Sequence, residues 1–580
     1  MVRTLAKQIK GYKKDTILTP VFTALEVIME VLIPYITARI IDEGITGHNM
    51  GKIWEFGGIM IGMAILSLAF GVFGGLYGAK ASTGFAKNLR QAMFENVQTF
   101  SFSNIDKFST AGLVTRMTTD VTNIQMAFQM LLRIAVRAPL MLIFSLVMCI
   151  VISPRISLIF LVVLVFLGAV LGPIAARGTK LFRQMFDQYD ELNASTQENN
   201  AGIRVVKAFV REDYESTKFT RACKKLYDTA VKAQGRMVIA FPAMMLAIYA
   251  TMIGISWFGA KLIVAGDMTT GDLTSLFSYV MGVLMSLMML AIVIVMIVMS
   301  VASAQRICAV LEEKPDIVNP ESPRMEVPDG SINFNHVDFS YKTGKGEKTL
   351  QDIDIHIQSG ETIGVIGGTG SGKTSLVNLI PRLYDVENGS VTVGGYDVRE
   401  YDLETLRDKV SVVLQKNELF SGTILSNLRW GNKDATLEQC KEACRMACAD
   451  EFIDQFPDGY DTRIEQGGTN VSGGQKQRLC IARALLKDPK ILILDDSTSA
   501  VDTATDAKIR NAFRDYIPDT TKIIISQRVS SVQDADRILV LDDGKVNGFD
   551  THENLLKENP IYQEIYEAQI KAGGDFDEPN

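Results

Sequence analysis

The stretch ETIGVIGGTGSGKTS, residues 361–375, decides how the whole chain is read. Its opening residues form an apolar run with strand character. Gly367, Gly368, Thr369, Gly370, Ser371 and Gly372 follow, and then Lys373, Thr374 and Ser375. This is G-x-x-x-x-G-K-[ST] in a strand–loop–helix context. Glycines let the backbone wrap an anion so that successive N–H groups point at phosphates, and the helix that follows adds its positive end. Lys373 is expected to reach the outer phosphates of a nucleoside triphosphate, and Thr374 to ligate Mg²⁺.

Working outward, residues 491–495 (ILILD) are a second apolar run, closed by a carboxylate. A strand buried in a parallel sheet is continuously apolar. Asp495 at its end is expected beside the glycine loop, holding Mg²⁺ through water. The two elements predict a P-loop NTPase domain of α/β class with ATP and Mg²⁺ as cofactors.

The residues around them resemble the ABC ATPases. Val471-Ser472-Gly473-Gly474-Gln475, followed by Lys476-Gln477-Arg478, is similar to the ABC signature and lies twenty residues ahead of ILILD. Gln415 in VVLQKNELF resembles the Q-loop, Ser499-Ala500-Val501-Asp502 the D-loop, and Tyr341 the aromatic that stacks on adenine. The resemblance implies a metal set of Thr374, Gln415 and Asp495. It also implies two cassettes facing head to tail, so that Ser472, Gly473, Gly474 and Gln475 serve a nucleotide on the partner. A helical subdomain is expected within this domain.

The first half of the chain is of another kind. The chain has 47% hydrophobic residues, concentrated before residue 305, and a mean hydropathy of +0.15. About 20 apolar residues are needed to cross a bilayer. Six windows qualify: about 16–41, 56–80, 130–152, 156–177, 238–265 and 275–302. The stretch 16–41 is too long for a signal peptide and reads as a retained first span, preceded by a basic segment (Arg3 to Lys14) on the membrane surface. The two long connections, after spans 2 and 4, hold seventeen Lys and Arg counting Lys80 and Arg177 at their edges; the short ones hold Lys52 and Arg155, with Lys261 near one edge. That asymmetry predicts cytosolic long connections and termini in an inner-membrane, multi-pass protein. Bare loops of fifty residues are uncommon, so the spans are expected to continue as helices whose tips, Ser103–Thr110 and Gly202–Phe209, reach the ATPase. Six spans followed by this cassette resemble the ABC exporter half-transporter. The expected domains are 1–310 in the membrane, a proline-rich linker at 311–330 and an ATPase domain at 331–575.

The resemblance breaks at three positions. The family places a glutamate after the strand-terminal aspartate as general base; here it is Asp496, whose carboxylate is drawn back by about 1.5 Å, one C–C bond. The family places a histidine in the switch motif; here Lys522 to Ser526 leads into Gln527, and His48, His336, His356 and His552 all lie elsewhere. Glutamine hydrogen-bonds but does not become cationic at neutral pH. Gln466 replaces a usual glutamate. The first two defects touch this chain's own ATP, while the signature serving the partner is intact. That asymmetry predicts a heterodimer with a second half-transporter, this chain's site being degenerate. A homodimer with a slow aspartate-based site is the alternative.

The expected cargo is an amphipathic drug-like or lipid-like molecule taken from among membrane lipids; a net charge of −7 gives no sign of nucleic acid. Lipid or glycolipid flipping and a non-transporting ATP sensor are the other readings. Glu26 and Glu30 in span 1 and Arg133 and Arg137 in span 3 form either structural ion pairs or a cavity wall. Span 6 is rich in methionine (Met281 to Met299), suiting either promiscuous binding or plain packing. Cys440, Cys444 and Cys448 recur every four residues and read as a helical packing face rather than a metal site.

Overall fold

In a hydrocarbon environment the backbone has no partner but itself, so helices are long and continuous. That is the pattern of residues 1–312 in the computed structural model, which describes residues 1–341 and 348–573, apart from some side chains in 160–186, that of Ala240 and those of 570–573. The long helices are α1 (Lys13–Arg39), α2 (Met50–Gln98), α3 (Val121–Ile152), α4 (Pro154–Ala201), α5 (Glu212–Val264) and α6 (Thr270–Glu312). Among the described residues five of them, all but α4, are long and apolar enough to cross a membrane. The expected fourth span, 156–177, falls in α4, where many side chains lie outside the described residues. With 49 residues, α2 extends about 70 Å at 1.5 Å per residue, more than twice the thickness of a bilayer core. Such helices carry the polar connections well beyond the membrane.

The chain divides into two compact units, Met1–Gln98 with Thr110–Glu313, and Thr99–Ser109 with Lys314–Asn580. The described part of the second unit ends at residue 573, so the expected domain end at 575 lies outside the described residues.

Within the first unit a charge cluster ties α1 to α3. The Arg137 guanidinium donates to Glu26 Oε1 and to Glu30 Oε2, both at 2.6 Å. Arg133 makes no such pair among the described residues and lies along Gly75 and Gly78 of α2. Of the two readings of these charges, the ion pair is therefore made by Arg137 with both glutamates. Replacing Arg137 by methionine leaves two carboxylates facing each other within the membrane segment. We expect a loss of about 2–3 kcal/mol, less than for a fully buried pair because the cluster is part-exposed. A lowered thermal midpoint in detergent, recovered by adding Glu26→Gln and Glu30→Gln, is the measurement.

Two π turns, Ile40–Thr46 and Arg116–Asp120, interrupt the regular helices. Each presents a carboxylate to α6. Asp42 accepts from the backbone N–H of Gly271 at 2.9 Å, where a Cβ would lie 2.4 Å from the Ala38 carbonyl oxygen. Asp120, almost fully buried, accepts from Ser303 Oγ at 2.8 Å and from Arg306 Nε at 2.7 Å near the other end of α6.

The second unit is built on a six-stranded sheet of β1 (Thr362–Gly367), β2 (Val410–Val413), β3 (Ile491–Asp495), β4 (Thr521–Ile525), β5 (Arg537–Asp542) and β6 (Lys545–Asp550), in the order β6-β5-β1-β4-β3-β2. The ladders are parallel except for β5–β6. All five residues of β3 are buried, which is why its sequence carries no alternation. A four-stranded antiparallel sheet lies in the same unit. The short helix Phe102–Lys107, in the first of the two expected tips, also belongs to this unit: Tyr384 Oη donates to Asp106 at 2.7 Å and Ser103 Oγ to Asp316 at 2.9 Å.

The cysteine reading needs correction in one respect. Cys440 and Cys444 are buried on the helix Leu437–Met446, but that helix ends before Cys448, which has a left-handed φ of 51°. The four-residue spacing therefore spans a helix and its terminal turn. Among the described residues no three His, Cys, Asp or Glu side chains cluster so as to hold a metal ion.

Candidate functional site: the phosphate loop and its neighbours

Parallel sheets offer ligands the crevice beyond the carboxyl ends of their strands. Several of the expected site residues stand at that edge. β4 pairs with both β1 and β3, with Ile525 opposite Val365 and Asp495. Counting on from that register, Gly367 and Gln527 stand level and Asp496 one position short of them, on three adjacent strands or their extensions. Gln415 follows β2, whose Val413 pairs with Leu494, and its side chain is exposed.

The loop after β1 has the shape its glycines permit. Gly370 and Gly372 adopt φ of +87° and +94°, a region disfavoured for other residues. A Cβ at Gly368 or Gly370 would meet nothing within 4 Å, so the loop is open at both positions. Thr369 lies exposed between them and Ser371 is buried beneath. Lys373 Nζ donates to the carbonyls of Gly367 and Gly368 at 2.9 and 2.7 Å. Burial lowers its pKa, and nearby Asp495 and Asp496 oppose that shift. Thr374 Oγ1 donates to Asp495 Oδ2 at 2.8 Å. Burial pushes the Asp495 carboxyl up, with Thr374 acting against it. An open anion cradle beside a desolvated carboxylate and a hydroxyl fits a triphosphate with a hard divalent cation. Mg²⁺ bound there would neutralise phosphate charge; Thr374 and Asp495 are the oxygens placed to hold it.

Asp496 has φ 47° and its N–H donates to the Ile525 carbonyl at 3.0 Å. Left-handed backbone suits aspartate better than longer side chains. Tyr341 is half-exposed; its hydroxyl is 2.8 Å from Ser375 Oγ, and its ring meets Tyr384 edge-on.

The signature heads helix α7 (Gly473–Leu485). Ser472 and Gln475 form a capping box: the Gln475 N–H donates to Ser472 Oγ at 3.3 Å and the Ser472 N–H to Gln475 Oε1 at 2.9 Å. Gly473 and Gly474 lie at its first turn, against Ala500. Asp502 caps the next helix, Thr503–Tyr516, by accepting from the Thr505 N–H, a bond that lowers its pKa.

Two residues that sequence reasoning left without a role connect these parts. Gln477 donates from Nε2 to Ser499 Oγ at 3.2 Å and accepts from the Ala500 N–H at 3.0 Å. Arg528 donates to the carbonyls of Ser499 at 3.0 Å and Val501 at 3.3 Å. The signature helix, the turn 499–501 and the turn after β4 are thus hydrogen-bonded in series. Backbone carbonyls carry no side-chain signature, so only the quoted KQR tripeptide pointed there.

A helical membrane unit joined in one chain to a P-loop ATPase unit defines an ATP-driven membrane transporter subunit. Comparison with known proteins gives the same class. The family model for the ABC transporter transmembrane region matches residues 16–288, and that for the ABC transporter matches residues 350–499. YfiB of Bacillus subtilis, an uncharacterized ABC transporter ATP-binding protein, is 35% identical over 95% of both chains. The ATP-dependent lipid A-core flippase of Desulfotalea psychrophila is 34% identical over 83% of this chain and 84% of its own. A solved bacterial Atm1-family ABC exporter with ATP bound superposes with a TM-score of 0.82 at 23% identity, covering 96% of this chain and 99% of that one. The chain belongs to the ABC transporter family, as a half-transporter of exporter architecture that couples ATP hydrolysis to transport as part of a dimer.

Proposed function

We propose that this chain is one subunit of a heterodimeric exporter of amphipathic small molecules, in which its own P-loop site hydrolyses slowly and its signature completes the partner's working site. The observation that carries this reading is the distribution of substitutions. Asp496 and Gln527 stand at the edge that faces this chain's own nucleotide, whereas Ser472, Gly473, Gly474 and Gln475 are unaltered. The shorter Asp496 carboxylate falls about 1 Å or more short of a glutamate's reach, and misplacement of that size can cost on the order of a hundredfold in rate. Gln527 donates a hydrogen bond but neither takes up nor releases a proton at neutral pH.

Own-site ligands in this reading are Gly367 to Gly372 around the phosphates, Lys373 on the outer phosphates, Thr374, Gln415 and Asp495 at Mg²⁺, Ser375 and Tyr341 beside the nucleoside, and Asp502 at the dimer face. The ATPase lies in the cytosol. Two ATP molecules close the cassettes, the helix tips carry the motion to the spans, and hydrolysis on the partner resets the cycle. The tip helix Ile203–Ala208, with Phe209 and Val210 strongly exposed, suits a surface meant to be covered in such an assembly.

The chain purified without a companion is the test. It should bind ATP yet turn over slowly and fail to pump a reporter dye. Brisk turnover and pumping by the chain alone would overturn the heterodimer. The flippase among the relatives favours lipid translocation as a second reading; flipping of a labelled lipid without dye export would select it.

A further inference from the structure

The last helix among the described residues, α8 (Pro560–Gly573), reaches into the ATP site through one side chain. Gln569 Nε2 donates to the carbonyl of Gln527 at 2.7 Å, and Gln569 Oε1 accepts from the N–H of Val529 at 2.8 Å. Both ends of the carboxamide are used, on the residues either side of Arg528. The orientation is self-consistent: turned over, the amide would set a donor against an N–H and an oxygen against a carbonyl. Arg528 holds the same turn through the Ser499 and Val501 carbonyls, and its own N–H donates to Ser526 Oγ at 3.0 Å. The switch turn is thus gripped by the turn 499–501 through Arg528 and by the last helix through Gln569.

The helix that supplies this grip is itself anchored. Tyr562 is fully buried, with its hydroxyl 2.7 Å from His552 Nδ1. Its N–H donates to Asn559 Oδ1 at 2.9 Å, and Asn559 Nδ2 donates to Asn547 Oδ1 on β6 at 2.8 Å. An exposed residue that follows a buried strand, as Gln527 does, has little of its own to fix its main chain. Together with the grip of Arg528, bonds to the carbonyl of 527 and the N–H of 529 set its backbone direction, and hence where its side chain projects.

We propose that Gln569 is a positioning residue of the ATP site: it holds the switch turn so that Gln527 meets the terminal phosphate, which makes the last helix part of how this chain tells ATP from ADP. The inference rests on the proposed role of Gln527 at the γ-phosphate.

The readout is the ratio of Kd for ADP to Kd for ATP, measured with the full-length chain by displacement of a fluorescent ATP analogue. A contact to the γ-phosphate moves this ratio, whereas general loosening of the fold moves both constants together. Gln527→Ala should lower the preference for ATP about fivefold, the worth of one hydrogen bond. Gln569→Ala should lower it about threefold to fivefold. Gln569→Glu keeps the acceptor for Val529 but sets a carboxylate against the Gln527 carbonyl, and should lose at least as much. The double variant Gln527→Ala with Gln569→Ala should be no worse than Gln527→Ala alone. If Gln569→Ala and Gln569→Glu keep the wild-type ratio while Gln527→Ala loses it, or if the two alanine effects multiply, Gln569 does not act through the switch and the inference is overturned. If Gln527→Ala itself leaves the ratio unchanged, the switch reading falls, and with it any positioning role for Gln569.

Discussion

Gly474→Ala, introduced into the transporter co-purified with its natural companion, should cut ATP turnover by about a hundredfold or more while ATP affinity at this chain's own P-loop stays within about twofold of wild type. The reasoning is steric and then electrostatic. A Cβ on Gly474 would sit 2.8 Å from the Ala500 carbonyl oxygen, a backbone atom with no side-chain freedom to move aside. Either the turn 499–501 or the first turn of the signature helix must shift. Because Gln477 ties that helix to Ser499 and Ala500, the displacement is shared by both. Removing one well-placed donor from a charge-stabilising site costs about a hundred- to a thousandfold. Lys373→Ala provides the contrast, since it should abolish ATP binding on this chain first. Full activity in Gly474→Ala would show that the signature contributes nothing to the working site.

Asp496→Glu combined with Gln527→His should produce the opposite change. With the companion's own P-loop disabled, the remaining turnover, which then comes from this chain's site, should rise about tenfold to a hundredfold. The glutamate restores carboxylate reach and the imidazole restores a group that titrates near neutrality. Asp496→Glu alone should gain less, because the imidazole is still missing; in both variants a longer side chain at residue 496, with φ 47°, costs about 1 kcal/mol and holds the gain down. The double variant should also acquire a new limb in its pH–rate profile near the imidazole pKa of about 6.5, which the parent lacks. A double variant no faster than the parent would mean that the slow site has another cause.

The linear order of motifs made much of this legible before any coordinates. A glycine loop, a buried apolar strand ending in a carboxylate and a hydrophobic half of six windows each follow from local chemistry, because each is set by neighbours within one element. What stayed hidden was set by contacts across elements. Gln477, Arg528 and Gln569 are ordinary polar residues whose partners are mostly main-chain atoms tens of residues away, and main-chain atoms leave no mark on a sequence. The charges of α1 and α3 were visible as two pairs, yet nothing in their spacing said that Arg137 would take both glutamates while Arg133 lay along the glycines of α2. The cysteine face was read one turn too far, because a helix terminus is decided by capping rather than by the repeat.

The carboxylates that the two π turns offer to α6 bear on how such a helix can travel. Asp42 grips it through a backbone N–H at Gly271 and Asp120 through side chains at Ser303 and Arg306, some thirty positions further along. Axial slippage by even one residue, about 1.5 Å, would strain both tethers at once. Tilting or swinging as a stiff rod, with α1 and α3 carried along at its ends, strains neither.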